Sequence, residues 1–155
     1  MNYWLMKSEP STFGIDDLAR ARNRTSSWDG VRNFQARNYL RAMKRGDLAF
    51  FYHSSCEVPG IVGVMKVVKE AYPDPTQFDP KDDHYDPASK PEAPRWYMVD
   101  VQLVSRFDQP VTLEQLRAHA NGKLRNMVVL KRGNRLSVTP VTKLQWEFIH
   151  SLAGR

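Results

Sequence analysis

Six of the ten prolines of this 155-residue chain fall between positions 71 and 95: Pro73, Pro75, Pro80, Pro87, Pro91 and Pro94. Each removes a backbone donor and fixes φ, so neither a long helix nor a central strand can run through the segment. It must be an irregular excursion, and the regular elements have to assemble from the pieces on either side. Long loops inside compact domains are often functional or mobile. This one holds six acids (Asp74, Asp79, Asp82, Asp83, Asp86, Glu92) against three bases, whereas the remainder carries 20 bases against 11 acids. An acidic loop is drawn onto a basic body, so its Asp side chains are expected to bond neighbouring amides or arginines.

The flanking sequence reads as short alternating elements. Residues 2–8 alternate Asn2, Trp4, Met6 and Ser8 against Tyr3, Leu5 and Lys7, which predicts a strand. Ser11 or Thr12 can cap a short helix using Ile15, Leu18 and Ala19. After a polar loop from Arg22 to Ser27, a helix over about 31–44 would bury Ala36, Tyr39, Leu40 and Met43. Leu48–Tyr52, Gly60–Lys69 and Trp96–Val104 read as strands, with Gly63 marking a bulge or a close approach. Thr112-Leu113-Glu114-Gln115 is a capping box, and Val111 can staple onto Leu116. Arg135–Val138 is a short extended piece. Thr139-Pro140 then offers an N-cap and a first-position proline for a last helix with Val141, Leu144, Phe148 and Leu152 as its apolar face.

This order predicts an α+β fold, a small, mostly antiparallel β-barrel flanked by helices. The length suits one domain over residues 1–155. Trp4, Leu5, Leu40, Phe50, Val62, Val64, Val99, Val101, Leu144 and Phe148 are its expected buried side chains. No apolar run is long enough to span a bilayer, and there is no signal-peptide pattern. The lone Cys56 excludes an internal disulfide and a Cys-rich zinc site and fits a reducing cytosol, so a cytoplasmic location is expected. The formal net charge of +6 favours a polyanionic partner.

The residues that point to chemistry lie between Trp28 and Asn38. An indole precedes a tight Asp29-Gly30 turn, and the following helix carries Arg32, Asn33, Arg37 and Asn38 in its first turns. Bases stack on aromatics, and phosphates bind helix N-termini and Arg forks. The pattern suits a nucleotide reader; the alternative is that Trp28 plugs the core and the arginines form a solvated face. Tyr52, His53 and Ser54 add a flat ring, a switchable donor and a hydroxyl suited to a base edge. A second basic group comprises Lys123, Arg125, Lys131, Arg132 and Arg135.

Other constellations are weaker. His53 with Cys56 or Ser54 suggests nucleophilic catalysis on a nucleobase or small acyl substrate, but no nucleophile elbow supports it. A small anionic metabolite in the same pocket is a further alternative. Asp82, Asp83, His84 and Asp86 match no metal loop and read as a solvated acidic stretch. Walker and GxGxxG phosphate loops are absent, and no cofactor or metal is expected.

The chain resembles an EVE domain, a branch of the PUA-like superfamily that includes the YTH and ASCH domains. The resemblance rests on Trp4-Leu5-Met6-Lys7-Ser8-Glu9-Pro10, Trp28-Asp29-Gly30-Val31-Arg32-Asn33, Gly46-Asp47, Tyr52-His53-Ser54 and Pro59-Gly60-Ile61-Val62-Gly63. Tyr85-Asp86-Pro87, Arg95-Trp96 and Leu136-Ser137-Val138-Thr139-Pro140-Val141 continue it nearly end to end. It implies a curved, partly closed barrel with a pocket for an extruded, chemically modified base in DNA or RNA, in a non-enzymatic reader. On that reading Lys7, Ser8, Trp28, Gly30, Val31, Asn33, Tyr52, His53 and Ser54 bind the base. Arg32, Arg37, Lys131, Arg132 and Arg135 hold phosphates. The lack of a nuclear-targeting extension suggests a stand-alone bacterial protein.

Overall fold

A computed structural model describes residues 1–154. The strands are β1 (Tyr3–Ser8), β2 (Thr25–Ser27), β3 (Leu48–His53), β4 (Gly60–Pro73), β5 (Tyr97–Thr112) and β6 (Val138–Val141). The helices are α1 (Pro10–Phe13), α2 (Ile15–Arg20), α3 (Phe34–Ala42), α4 (Leu113–Ala118) and α5 (Lys143–Ala153). The strands form one sheet in the order β2-β5-β4-β3-β1-β6. Neighbours run antiparallel except β1 and β3, which are parallel, with Ser8 beside His53 at their shared end.

Both faces of the sheet are covered. Trp4 and Met6 of β1 therefore enter one apolar cluster, with Ala49 and Phe51 of β3, against α2 and α3. Leu5, Phe50 and Tyr52 enter the other, with Leu116 of α4 and Trp146 and Ile149 of α5. Period-2 alternation is intact, but it separates two cores rather than core from solvent.

The α+β class and the mostly antiparallel sheet agree with the sequence reading. The barrel does not close, because the edge strands β2 and β6 do not pair with each other. Each is three or four residues long, too short to span a seam. Curvature comes instead from four register shifts between β4 and β5, since each bulge bends its strand. Gly63 sits at such a close approach: a Cβ there would lie 2.5 Å from the Ser105 carbonyl oxygen.

The last helix corrects the sequence reading. Thr139 and Pro140 belong to β6, where an edge position tolerates a proline. Thr142 caps α5 instead, reciprocally with Gln145. The buried face is Gln145, Trp146 and Ile149, while Leu144 is 78% exposed. Other expected core positions are buried or, at Val62 and Phe148, half-buried. Two smaller corrections concern caps. The helix with Ile15, Leu18 and Ala19 is α2, preceded by Gly14, while Ser11 and Thr12 lie inside the separate turn α1; α3 starts at Phe34 because Asn33 is its cap.

The proline-rich excursion begins later than expected, because β4 runs on to Pro73, and beyond it is irregular apart from a 3-10 turn at Pro75–Phe78 and one isolated bridge between Lys90 and Ala93. Its polar side chains hold it onto the body. Buried Gln77 donates to the carbonyls of Asp74 and Trp96 and accepts from Ser89 Oγ and the amides of Arg95 and Trp96. Asp86 accepts from the Trp96 indole N–H at 2.7 Å.

Candidate functional site

The parallel pairing of β1 and β3 brings their carboxyl ends together, and the Ser54 amide donates to the Ser8 carbonyl at 3.0 Å. Here the surface opens into a cleft of about 700 Å³. Lys7 and Ser8 enter from β1, Thr12 and Phe13 from α1, and Ser26 and Ser27 from β2. Glu9, the Trp28–Val31 loop, Ser54, Ser55, Ser137 and Arg135 complete the wall, with His84 reaching in from the excursion. Seven of the lining residues carry hydroxyls, beside an apolar wall of Phe13, Trp28 and Val31. Hydroxyls donate and accept, so the set can match base edges of either polarity.

The loop that carries Trp28 is held rigidly. Its amide donates to the Val99 carbonyl at 2.8 Å. Gly30, at φ +79°, donates to Asp74 Oδ2 at 2.8 Å. A Cβ on Gly30 would lie 2.8 Å from the His84 ring, so the position needs glycine for φ and for space. Asp74, wholly buried, also accepts from the Thr76 amide and hydroxyl and from Arg32. Burial opposes its charge, but these hydrogen bonds outweigh it and hold the carboxyl below the ordinary carboxylate range.

Two cleft groups are shifted. Desolvation, then the nearby Asp74 carboxylate, pushes Asp29 above the usual range. Burial lowers Lys7. Both shifts work against the charged form without making either group neutral by themselves.

Of the base-site candidates, Lys7, Ser8, Trp28, Gly30, Val31 and Ser54 line the cleft, and of the phosphate candidates Arg135 does. Trp28 does so from within the core. It is 6% exposed and meets Phe51 and Phe13 edge-on, at centroid distances of 5.3 and 6.2 Å. Core plug and cleft wall are thus one role, and the indole is not an open plate.

Other candidates are engaged elsewhere. Asn33 caps α3 by accepting from the Ala36 amide at 2.9 Å. Arg32 donates to Asp74, Thr76 Oγ1 and the carbonyls of Val31 and His84, and lies over the Trp96 ring. Arg37 donates to the Arg95 carbonyl and Asn38 and lies over Phe34. Both guanidiniums brace the excursion against α3. His53 sits outside the cleft wall, with Nε2 accepting from the Ile15 amide at 3.1 Å. The nitrogen needed by the nucleophile alternative is therefore occupied, and Cys56 does not line the cleft.

Tyr52, Lys131 and Arg132 face a second, smaller hollow of about 270 Å³, which also takes Lys7 and Arg117. The sequence reading missed Glu9, Thr12, Phe13, Ser26, Ser27, Asp29, Ser55, His84, Ser137 and Arg117 as lining residues. Ser26-Ser27 directly before Trp28 was a usable signal. The others meet only through sheet order and the path of the excursion.

Comparison with known proteins agrees with this geometry. The profile of the EVE domain family matches residues 2–152. The chain belongs to the EVE family. It is 51% identical to mouse thymocyte nuclear protein 1, over 97% of this chain and 73% of that protein. Human THYN1 protein, solved in complex with DNA containing 5-methylcytosine, superposes with a TM-score of 0.96 at 48% identity, covering 100% and 99% of the two chains. A Pseudomonas putida protein superposes with a TM-score of 0.93 at 46% identity, covering 97% and 99%.

These relatives correct the expected location: similar proteins at this identity are named as nuclear, which overturns the cytoplasmic expectation. Animal and bacterial relatives match comparably, so the similarity lends no support to a bacterial source. No helix among the described residues is long and apolar enough to cross a membrane.

Proposed function

We propose that the chain, acting as one module over residues 1–155, binds nucleic acid by taking a modified base into the cleft, and that DNA carrying 5-methylcytosine is its target. The observation that carries this reading is a hydroxyl-rich cleft with one apolar wall, in a fold superposable at TM-score 0.96 on a relative solved with such DNA. 5-Methylcytosine presents an amino donor, ring acceptors and an apolar methyl group. The wall of Phe13, Trp28 and Val31 suits the methyl group, while the hydroxyls of Ser27 and Ser54 and the raised Asp29 carboxyl suit the edge; the Ser8 hydroxyl, which donates to the Phe13 carbonyl at 2.6 Å, can only accept. Arg135 at the cleft suits a phosphate. Extruding a duplex base costs a few kcal/mol, so a single-stranded site should bind more readily.

The test is binding of the whole chain to matched oligonucleotides with one 5-methylcytosine or one cytosine, as single strands, duplexes and the corresponding RNA. The methylated DNA should bind at least about tenfold tighter, the worth of one good contact set near 1.4 kcal/mol. Thr12→Trp places a bulky side chain at the cleft without touching the core; it should remove that preference while leaving the folded spectrum unchanged. Equal affinity for both DNAs, or an unaltered preference in the Thr12→Trp protein, rejects the reading.

A further inference from the structure

The second hollow has a chemistry distinct from the cleft. Lys7, Arg117, Lys131 and Arg132 line it, and no carboxylate does. None of the four belongs to an ion pair among the described residues. They come from three segments: Lys7 from β1, Arg117 from α4, and Lys131 and Arg132 from the stretch after the 3-10 turn Val128–Leu130. The segment is braced, since Asn134 Nδ2 donates to the Val128 carbonyl and its Oδ1 accepts from the Leu136 amide. Gly133 turns it at φ +76°. Four uncompensated cations around one concavity repel each other, and an anion seated there relieves the repulsion.

The hollow and the cleft touch. Lys7 lines both, and Asn134 of the hollow precedes Arg135 of the cleft. We infer that the hollow is a phosphate seat for the nucleic-acid backbone beside the bound base, with Arg117, Lys131 and Arg132 as its donors and Lys7 bridging to the cleft. This rests on the base-reading proposal for its ligand, although the seat itself requires only a phosphodiester. Phosphate contacts position a protein on its polymer and carry no sequence information. The seat therefore serves affinity and register, and the cleft serves discrimination.

The experiment uses the whole chain and the exposed pair Lys131→Ser/Arg132→Ser. Affinity is measured for methylated and unmethylated DNA across salt, and inorganic phosphate is titrated while amide shifts of residues 131–135 are followed. The double variant should bind both DNAs at least about tenfold more weakly, and its log–log salt slope should be shallower by about two, one per lost phosphate-contacting cation. The ratio between the two DNAs should stay at the wild-type value, including a value of one if the base reading itself fails. Phosphate should shift the amide signals of residues 131–135 in the wild type and not in the variant. Unchanged DNA affinity and slope in the variant overturn the seat. So does phosphate binding that the variant loses without any loss of DNA binding, which would mark a site for a free phosphate compound. A wild type that binds neither probe also overturns it.

Discussion

Asp74 and His53 are two side chains whose protonation the fold shifts through burial and hydrogen bonding. Asp74 receives the Gly30 amide, the Thr76 amide and hydroxyl, and Arg32, with no exposure to water. Its folded carboxyl lies below its unfolded value of about 3.9. Its contribution to stability is therefore complete above that pH and is lost as pH falls towards the folded value. His53 is held neutral by burial, against the opposing pull of Asp16, and accepts from the Ile15 amide. Its folded value also lies below the unfolded one of about 6.5, so its contribution is complete above that pH and declines below it. Urea melts across pH should thus show a first decline below about 6.5, absent in His53→Gln, and a later one below about 3.9, absent in Asp74→Asn. Asp74→Asn should also cost about 3 kcal/mol at pH 7, because it leaves Arg32 without its buried partner. A flat profile between pH 7 and 5 in the wild type would remove the role given to His53. At Trp28, replacement by Ala should cost about 3–5 kcal/mol and abolish base preference together, since the indole is core and wall at once. Loss of preference in a fully stable Trp28→Ala protein would contradict that double role.

Elements were legible where local chemistry determines them. The capping box at Thr112 and Gln115 is present in the structure with both bonds, and the proline-rich excursion is irregular for the reason its prolines impose. Elements were misread where tertiary context decides. Thr139-Pro140 has the local signature of a helix start, yet pairing with Leu5 and Trp4 makes it an edge strand. The helix is capped three residues later, at Thr142, and buries Gln145, Trp146 and Ile149 rather than Leu144. The phase is testable: Leu144→Lys should change stability by less than about 0.5 kcal/mol. Trp146→Ala, which removes the ring stacked 3.9 Å from Phe50, should cost about 3–5 kcal/mol. Thermal melts of the two variants check both values, and a Leu144→Lys protein as unstable as Trp146→Ala would contradict the observed register. The site divides the same way. Seven of the fourteen sequence candidates line the cleft and three more, Tyr52, Lys131 and Arg132, line only the adjoining hollow. Asn33, Arg32 and Arg37 carry the right functional groups, but a cap and two carbonyl-rich braces consume them. Sequence gives the donor type and not its commitment.

At the scale of the whole molecule, the charge asymmetry and the open sheet act together. The acidic excursion is held against the start of α3 by Arg32, which pairs with Asp74, and by Arg37, which donates to the Arg95 carbonyl. Lys7, Arg117, Lys131, Arg132 and Arg135, none in an ion pair among the described residues, line the cleft or the hollow beside it. A sheet closed into a barrel would bring β2 and β6 together; left open, it lets Ser26, Ser27 and Ser137 from those edges face one cleft beside these cations. On the proposed reading, the hydroxyl-rich cleft and the cation-lined hollow adjoin through Lys7, and salt should act mainly on contacts at the hollow. Contacts to three duplex phosphates give a log–log slope of affinity against salt near about −3, a fall of about 40-fold between 50 and 200 mM. The hydroxyl and apolar contacts of the cleft release no counterions. The ratio of affinities for methylated and unmethylated DNA should hold constant over the same range. Anisotropy titrations at four salt concentrations measure both quantities. A ratio that decays with salt alongside the total affinity would mean that the cations, not the cleft, distinguish the two DNAs.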